Sequence, residues 1–190
     1  MAVTMAEVAR GQPPCYHPPM LKRLCCALPL AATLLLLGCN PTYNWRDYSS
    51  PDASYRIMFP AKPATHTRSV DLNGMQVDIT MTAAEVEGVT FAVGSGVAPD
   101  PARAQAAVAA MKTALVRNIG AKVEHESAAA AGLDKAVAVD AVGTANGQTM
   151  KLRGHFEARG TRFYQVIVIG KANAVTVEHS DQFLSSFKLL

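Results

Sequence analysis

Two Asn-Gly pairs, Asn73-Gly74 and Asn146-Gly147, each stand between stretches in which apolar and polar residues alternate. A two-residue loop of this kind needs positive φ at both turn positions, which asparagine and glycine supply at little cost, and it joins antiparallel strands. Thr67–Leu72 and Met75–Val86 flank the first pair, and Lys135–Ala145 and Gln148–Ala158 flank the second. Within Met75–Val86, side chains Met75, Val77, Ile79 and Met81 share one face, and Gln76, Asp78, Thr80 and Thr82 share the other. In Gln148–Ala158, the apolar Met150, Leu152 and Phe156 oppose Lys151, Arg153, His155 and Glu157. Such a chain is bound to hairpins and cannot be a series of parallel βαβ units.

The remaining elements follow from period and punctuation. Tyr55–Phe59 alternates and stops at Pro60, and Glu87-Gly88 turns the chain into Val89–Val97, which makes a meander. Asp100-Pro101 opens a helix, with an N-cap carboxylate and proline at the first helical position, and Gly120 closes it. Its apolar stripe is Ala104, Val108, Met111, Leu115 and Ile119. Lys122–Ser127 reads as a weak strand and Ala128–Gly132 as a loop. Phe163–Ile169, the most apolar run, reads as a central strand buried on both faces. Ala174–Ser185 reads as a second helix and Phe187–Leu190 as a closing strand. The expected class is α+β, an antiparallel sheet packed by two helices, in a single domain over residues 54–190.

The front end follows other rules. Leu24–Leu37 is an apolar run interrupted by Pro29, shorter than the ~20 residues a membrane span needs and of the length of a secretory h-region. Lys22 and Arg23 before it supply a positive n-region, and Leu36-Leu37-Gly38-Cys39 ends it. This resembles the lipobox of bacterial lipoproteins, whose invariant cysteine is acylated on sulfur before cleavage on its N-terminal side. The resemblance implies a signal peptide over 20–38, lipidation at Cys39, and a mature chain without the other cysteines, 15, 25 and 26. Residues 1–19, rich in proline and without periodicity, read as an over-long start. Residues 39–53 read as a tether, with Trp45 and Tyr48 able to pack onto the domain. Asn40, where such lipoproteins carry aspartate for inner-membrane retention, leans towards the outer membrane.

A second resemblance spans residues 54–190. Ser54-Tyr55-Arg56-Ile57-Met58-Phe59-Pro60-Ala61-Lys62-Pro63, Arg159–Val166 and Phe183–Leu189 resemble the opening and closing elements of PsbP-like proteins. That family includes DcrB-type envelope lipoproteins and a eukaryotic Ran-binding regulator. It implies a PsbP-like α/β/α sandwich and a binding or assembly role rather than an enzyme.

Charge narrows the partners. The whole chain carries 18 basic and 15 acidic residues; beyond residue 38 the balance is 15 to 14, too even for a nucleic-acid binder. Ser95 in Gly94-Ser95-Gly96 lacks the glycine two residues upstream that a nucleophile elbow needs, because Val93 stands there. His66, His125, His155 and His179 form no ligand-spaced pair, and alternation sets His125 opposite Glu124 and Glu126, so no metal or cofactor is expected. The cluster that invites a ligand is Lys151, Arg153 and His155 on one strand face, with Arg162 and Tyr164 as neighbours. It suits a phosphate, a carboxylate or an acidic partner, or else a solvated face balanced by Asp78, Asp140 or Glu157. The expected function is a lipid-anchored envelope module facing the periplasm, held to the membrane through acylated Cys39 and binding an envelope protein. The alternative is a carrier or sensor of a small anionic or apolar ligand, bound on the cationic face or in a gap between helix 100–119 and the sheet.

Overall fold

The computed structural model describes residues 41–72, 74–131 and 134–190. Residues 1–19, the signal peptide over 20–38 with Lys22, Arg23, Leu36, Leu37 and Gly38, the acylation residue Cys39, Asn73 and Gly132 lie outside the described residues. The strands are β1 (Arg46–Ser50), β2 (Tyr55–Phe59), β3 (Ala64–Leu72), β4 (Met75–Val86), β5 (Val89–Val97), β6 (Ala121–Ala131), β7 (Asp134–Ala145), β8 (Gln148–Arg159), β9 (Arg162–Lys171) and β10 (Lys188–Leu189). Helix α1 is Pro101–Asn118 and α2 is Val177–Ser186. Every strand pairing is antiparallel. A seven-stranded sheet runs β3-β4-β5-β9-β8-β7-β6, and a three-stranded sheet runs β1-β2-β10. The class is α+β.

The centre of the large sheet is buried on both faces, by different layers. On one, α1 lays Ala104, Ala107, Val108 and Met111 against Leu152, Phe156, Phe163 and Ile167. On the other, Tyr55, Ile57 and Phe59 of the small sheet and Phe183 of α2 meet Phe91, Val93, Val166 and Val168. The central strand β9 therefore serves both cores, Phe163 and Ile167 one way, Tyr164, Val166 and Val168 the other. Its near-continuous apolar run has that cause. Strand β4 changes allegiance along its length: Val77 and Ile79 join the α1 core, and Ala84 joins the other.

Local chemistry sets the boundaries. Asp100 Oδ1 accepts from Arg103 N at 2.8 Å, and Pro101 is pre-set at the first turn of α1. Thr176 Oγ1 caps α2 by accepting from His179 N at 3.3 Å. The β7–β8 turn holds Asn146 at φ 51 and Gly147 at φ 74, as its sequence requires.

The first strand of the β3–β4 hairpin begins at Ala64 rather than Thr67, the last helix at Val177 rather than Ala174, and three larger differences separate the structure from the sequence reading. The stretch read as a tether folds in part: Arg46–Ser50 pairs with β2 across its whole length, and Tyr48 packs on Tyr55 and Phe59 with ring centroids 6.1 and 5.6 Å away. Open backbone hydrogen bonds along β2 recruit a segment with little alternation of its own. The alanines 128–131, read as a loop, continue β6 in register with Lys135–Val137 and Asp134 of β7, so tertiary pairing overrides their low strand propensity. A register shift between Val123 and His125 makes Glu124 an extra residue in β6. Strict alternation through Glu124-His125-Glu126 is therefore broken at Glu124. Glu126 Oε1 accepts from Lys112 Nζ of α1 at 2.6 Å, while His125 stands opposite Asp140.

Tyr55 links the layers and carries a pH signature. Its side chain is fully buried and hydrogen-bonds Thr82, and burial pushes its pKa up to about 12. The folded state holds this proton more tightly than the unfolded chain, so the associated stability is complete below about pH 10 and is lost as pH rises towards 12. The loss is on the order of 2 kcal/mol. In urea unfolding followed from pH 8 to 11.5, Tyr55→Phe is expected to flatten this alkaline decline. It should cost about 1 kcal/mol at pH 8 through the missing hydrogen bond.

Candidate functional site

The three residues of the cationic cluster read from the sequence share one strand face, but two of them, Arg153 and His155, are paired internally. Lys151, Arg153 and His155 recur on one face of β8, half-buried. Arg153 Nε donates to Asp140 Oδ1 at 2.9 Å and Nη1 donates to Asp181 Oδ1 of α2 at 2.7 Å. Partial burial works against the Arg153 charge, yet hydrogen bonds to Asp140 and Asp181 more than offset it and raise its pKa. His155 Nε2 lies 3.0 Å from Glu157 Oε2. Of the three, only Lys151 has no carboxylate partner among the described residues. Arg162 does not join them. Its place in β9 is opposite Arg159, and its Nη1 donates to the Asp52 carbonyl at 2.8 Å. This face ties α2 and the sheet together, and the expected balancing by Asp140 and Glu157 is what the geometry contains. Asp78 lies elsewhere, accepting from Ser69.

The main concavity lies on the other half of the same sheet face. The small sheet and α2 cover β5, β9 and β8 but leave the outer part of β3 and β4 open. A groove of about 880 Å³ results, floored by β3, β4 and the end of β5 and walled by the segment from Tyr48 to Ala53. Register builds the floor. The two-residue turn sets Leu72 opposite Met75, and counting outward pairs Thr65 with Thr82, Thr67 with Thr80 and Ser69 with Asp78. The hydroxyls of Thr65 and Thr82 are 3.1 Å apart, and those of Thr67 and Thr80 are 2.8 Å apart. One strand further in, Ser95 stands opposite Thr80 on one side and Tyr164 on the other. Sequence reasoning placed Asp78, Thr80 and Thr82 on one face of β4 but left β3 unaligned with them, so the floor went unseen.

Gly94-Ser95-Gly96 gains a packing explanation here. A Cβ on Gly94 would come within 2.8 Å of Gln165 Cγ, and one on Gly96 would overlap the Phe163 ring, both on the α1 side. The glycines let those side chains press onto β5, and alternation turns Ser95 to the groove. It sits within a strand, where an elbow's strand-to-helix turn is absent, and hydrogen-bonds no histidine among the described residues.

Two crevices border α1. One of about 360 Å³ is lined by Gln105, Ala106, Val108, Ala109, Lys112, Val137 and Ala158, and one of about 240 Å³ lies between α1 and β3–β4. Among the described residues no three His, Cys, Asp or Glu side chains converge on a point, and no helix is long and apolar enough to cross a membrane.

No family model and no curated protein matches this sequence. In fold the chain is similar to cyanobacterial PsbP (CyanoP) from Synechocystis sp. PCC 6803, known from a solution structure. The TM-score is 0.51 at 12% identity, covering 80% of this chain and 96% of that one. A crystal structure from Bacteroides thetaiotaomicron gives TM-score 0.40 at 12% identity, over 76% of this chain and 48% of that chain. A protein of unknown function, PA94 from Pseudomonas aeruginosa, gives 0.36 at 12% identity, over 68% and 85%. The fold is PsbP-like; the likeness extends to architecture alone.

Proposed function

We propose that this chain is a bacterial envelope lipoprotein, anchored through acylated Cys39, whose PsbP-like domain acts without catalysis as an interaction or assembly module. The open groove beside β3 carries this reading as a broad concave surface that the fold leaves uncovered; its size, about 880 Å³, and its polar lining suit the carrier reading as well. Internal pairing of Arg153 and His155 supports it, since these groups cement the domain in place of waiting for an anion. Anchoring is supported by Lys22-Arg23, the apolar run and Leu36-Leu37-Gly38-Cys39, and the outer membrane by Asn40. Two or three acyl chains would make that attachment stable. The second reading is a carrier or sensor of a small anionic or apolar ligand. The 360 Å³ crevice between α1 and the sheet, lined largely by alanine and valine, favours its apolar form.

Crosslinking in intact cells, followed by mass spectrometry of the captured complexes and of the protein's own N-terminus, tests both parts. The expected result is a mature chain starting at Cys39 with acyl mass on it, and a reproducible envelope partner crosslinked through the groove rim. A different N-terminus, or Cys39 without acyl mass, overturns the anchor. A small molecule that co-purifies while no partner is captured moves the function to the carrier.

A further inference from the structure

We infer that the groove beside β3 is a binding site for a neutral, hydroxyl-rich chain, an oligosaccharide, with Ser95 as a contact at its floor. The inference rests on the groove being the working surface and is independent of the lipid.

Ser95 is the first observation. The residue is 6% exposed, it lines the groove, and its hydroxyl makes no hydrogen bond among the described residues. No buried side-chain polar atom among the described residues lacks a partner, so the Ser95 oxygen keeps access to the groove and is open to a guest there. The neighbouring threonines are paired, each using the hydroxyl across the strand gap. Ser95 has glycines on both sides and strands on both flanks, and what exposure remains to it opens onto the groove. A ligand that both donates and accepts would satisfy it.

Charge and shape select the ligand class. The groove's one cation, Arg162, already donates to the Asp52 carbonyl, while Asp52 and Asp78 contribute carboxylates. A phosphate or carboxylate guest would face two like charges against one guanidinium. An apolar guest would cover the Ser95 hydroxyl without giving it a partner. A sugar avoids both penalties, because each of its hydroxyls can donate to one wall and accept from the other. The floor is also periodic. Thr65, Thr67 and Ser69 recur every second residue, so they present hydroxyls at steps of about 6.6–6.8 Å. An open channel with a repeating floor suits a linear chain of repeating units better than a single compact molecule. Tyr48, braced by Tyr55 and Phe59, offers an amphipathic ring on the rim.

Isothermal titration of the full chain in detergent with chitotetraose is the test, with inorganic phosphate and a serine-rich octapeptide titrated in parallel. Saturable heat is expected with chitotetraose alone. Ser95→Ala should raise its Kd about five- to tenfold, as the loss of one hydrogen bond predicts. Thr67→Val, on an exposed strand where folding is not at stake, should raise it about threefold or more, and Arg153→Met should leave it unchanged. Circular dichroism checks that each variant is folded; if Ser95→Ala is not, Thr67→Val decides. No heat with chitotetraose, saturation by phosphate or peptide in its place, or a Kd indifferent to the groove variants overturns the site. Because this titration does not depend on Cys39, its failure is distinct from failure of the anchor.

Discussion

Gly143→Ala is expected to cost at least about 3 kcal/mol of folding stability, the upper end of what overpacking inflicts. Gly143 lies in β7 opposite Ala121, where the chain leaving α1 turns into β6. A Cβ there would overlap the Ile119 carbonyl oxygen and stand 2.5 Å from Ala121 Cα and 2.6 Å from Ala121 N. All three are backbone atoms, so no rotamer change relieves the clash. Relief requires β6 to move off β7, which would pull the end of α1 from the sheet. Gly147→Ala provides the contrast: it meets no atom within 4 Å and is strained only by its φ of +74°. Urea midpoints for the two variants should differ widely. A Gly143→Ala loss below about 1 kcal/mol would contradict the close approach.

Phe183→Ala is expected to cost about 3–5 kcal/mol and to lower Tm by roughly 6–20 °C. Phe183 is fully buried, with ring centroids 5.3 Å from Phe59 and 5.4 Å from Phe91. It therefore joins three layers at one point: α2, the small sheet and the large sheet. Removing the ring opens a cavity that none of the three can close without separating from the others. Phe183→Leu keeps most of the volume and should recover all but about 1.5 kcal/mol. Thermal unfolding compares the pair; a Phe183→Ala loss below 1.5 kcal/mol would place the energetic centre of this core elsewhere. Since domains hold only ~5–15 kcal/mol of stability, Gly143→Ala and Phe183→Ala together should remove about half of it or more.

Local rules made much of this legible. Asn146-Gly147 required a tight antiparallel turn, Asp100-Pro101 a helix start, and Phe163–Ile169 a strand covered on both sides; the structure has all three. The misses share one cause, pairing with a neighbouring strand that overrides weak local propensity. Arg46–Ser50 is a strand because β2 has a free edge, and alanines 128–131 are a strand because β7 does. Neither fact is written in those residues. The candidate site was half-visible. Lys151, Arg153 and His155 did align, but Asp181, which consumes part of their charge, comes from a helix 28 positions away from Arg153. The hydroxyl floor was open to derivation, because a two-residue turn after Leu72 fixes which residue of β4 faces each residue of β3.

The small sheet has a temporal consequence. Strand β2 finds one partner in β1 nearby, but its other edge waits for Lys188–Leu189, and Met58 N donates to Ser186 Oγ across 128 positions. At synthesis rates of ~5–20 residues per second, that edge stays unsealed for on the order of ten seconds. A chain made from its front end therefore completes the small sheet only once residues 186–189 have emerged, long after β1 and β2 are available to pair.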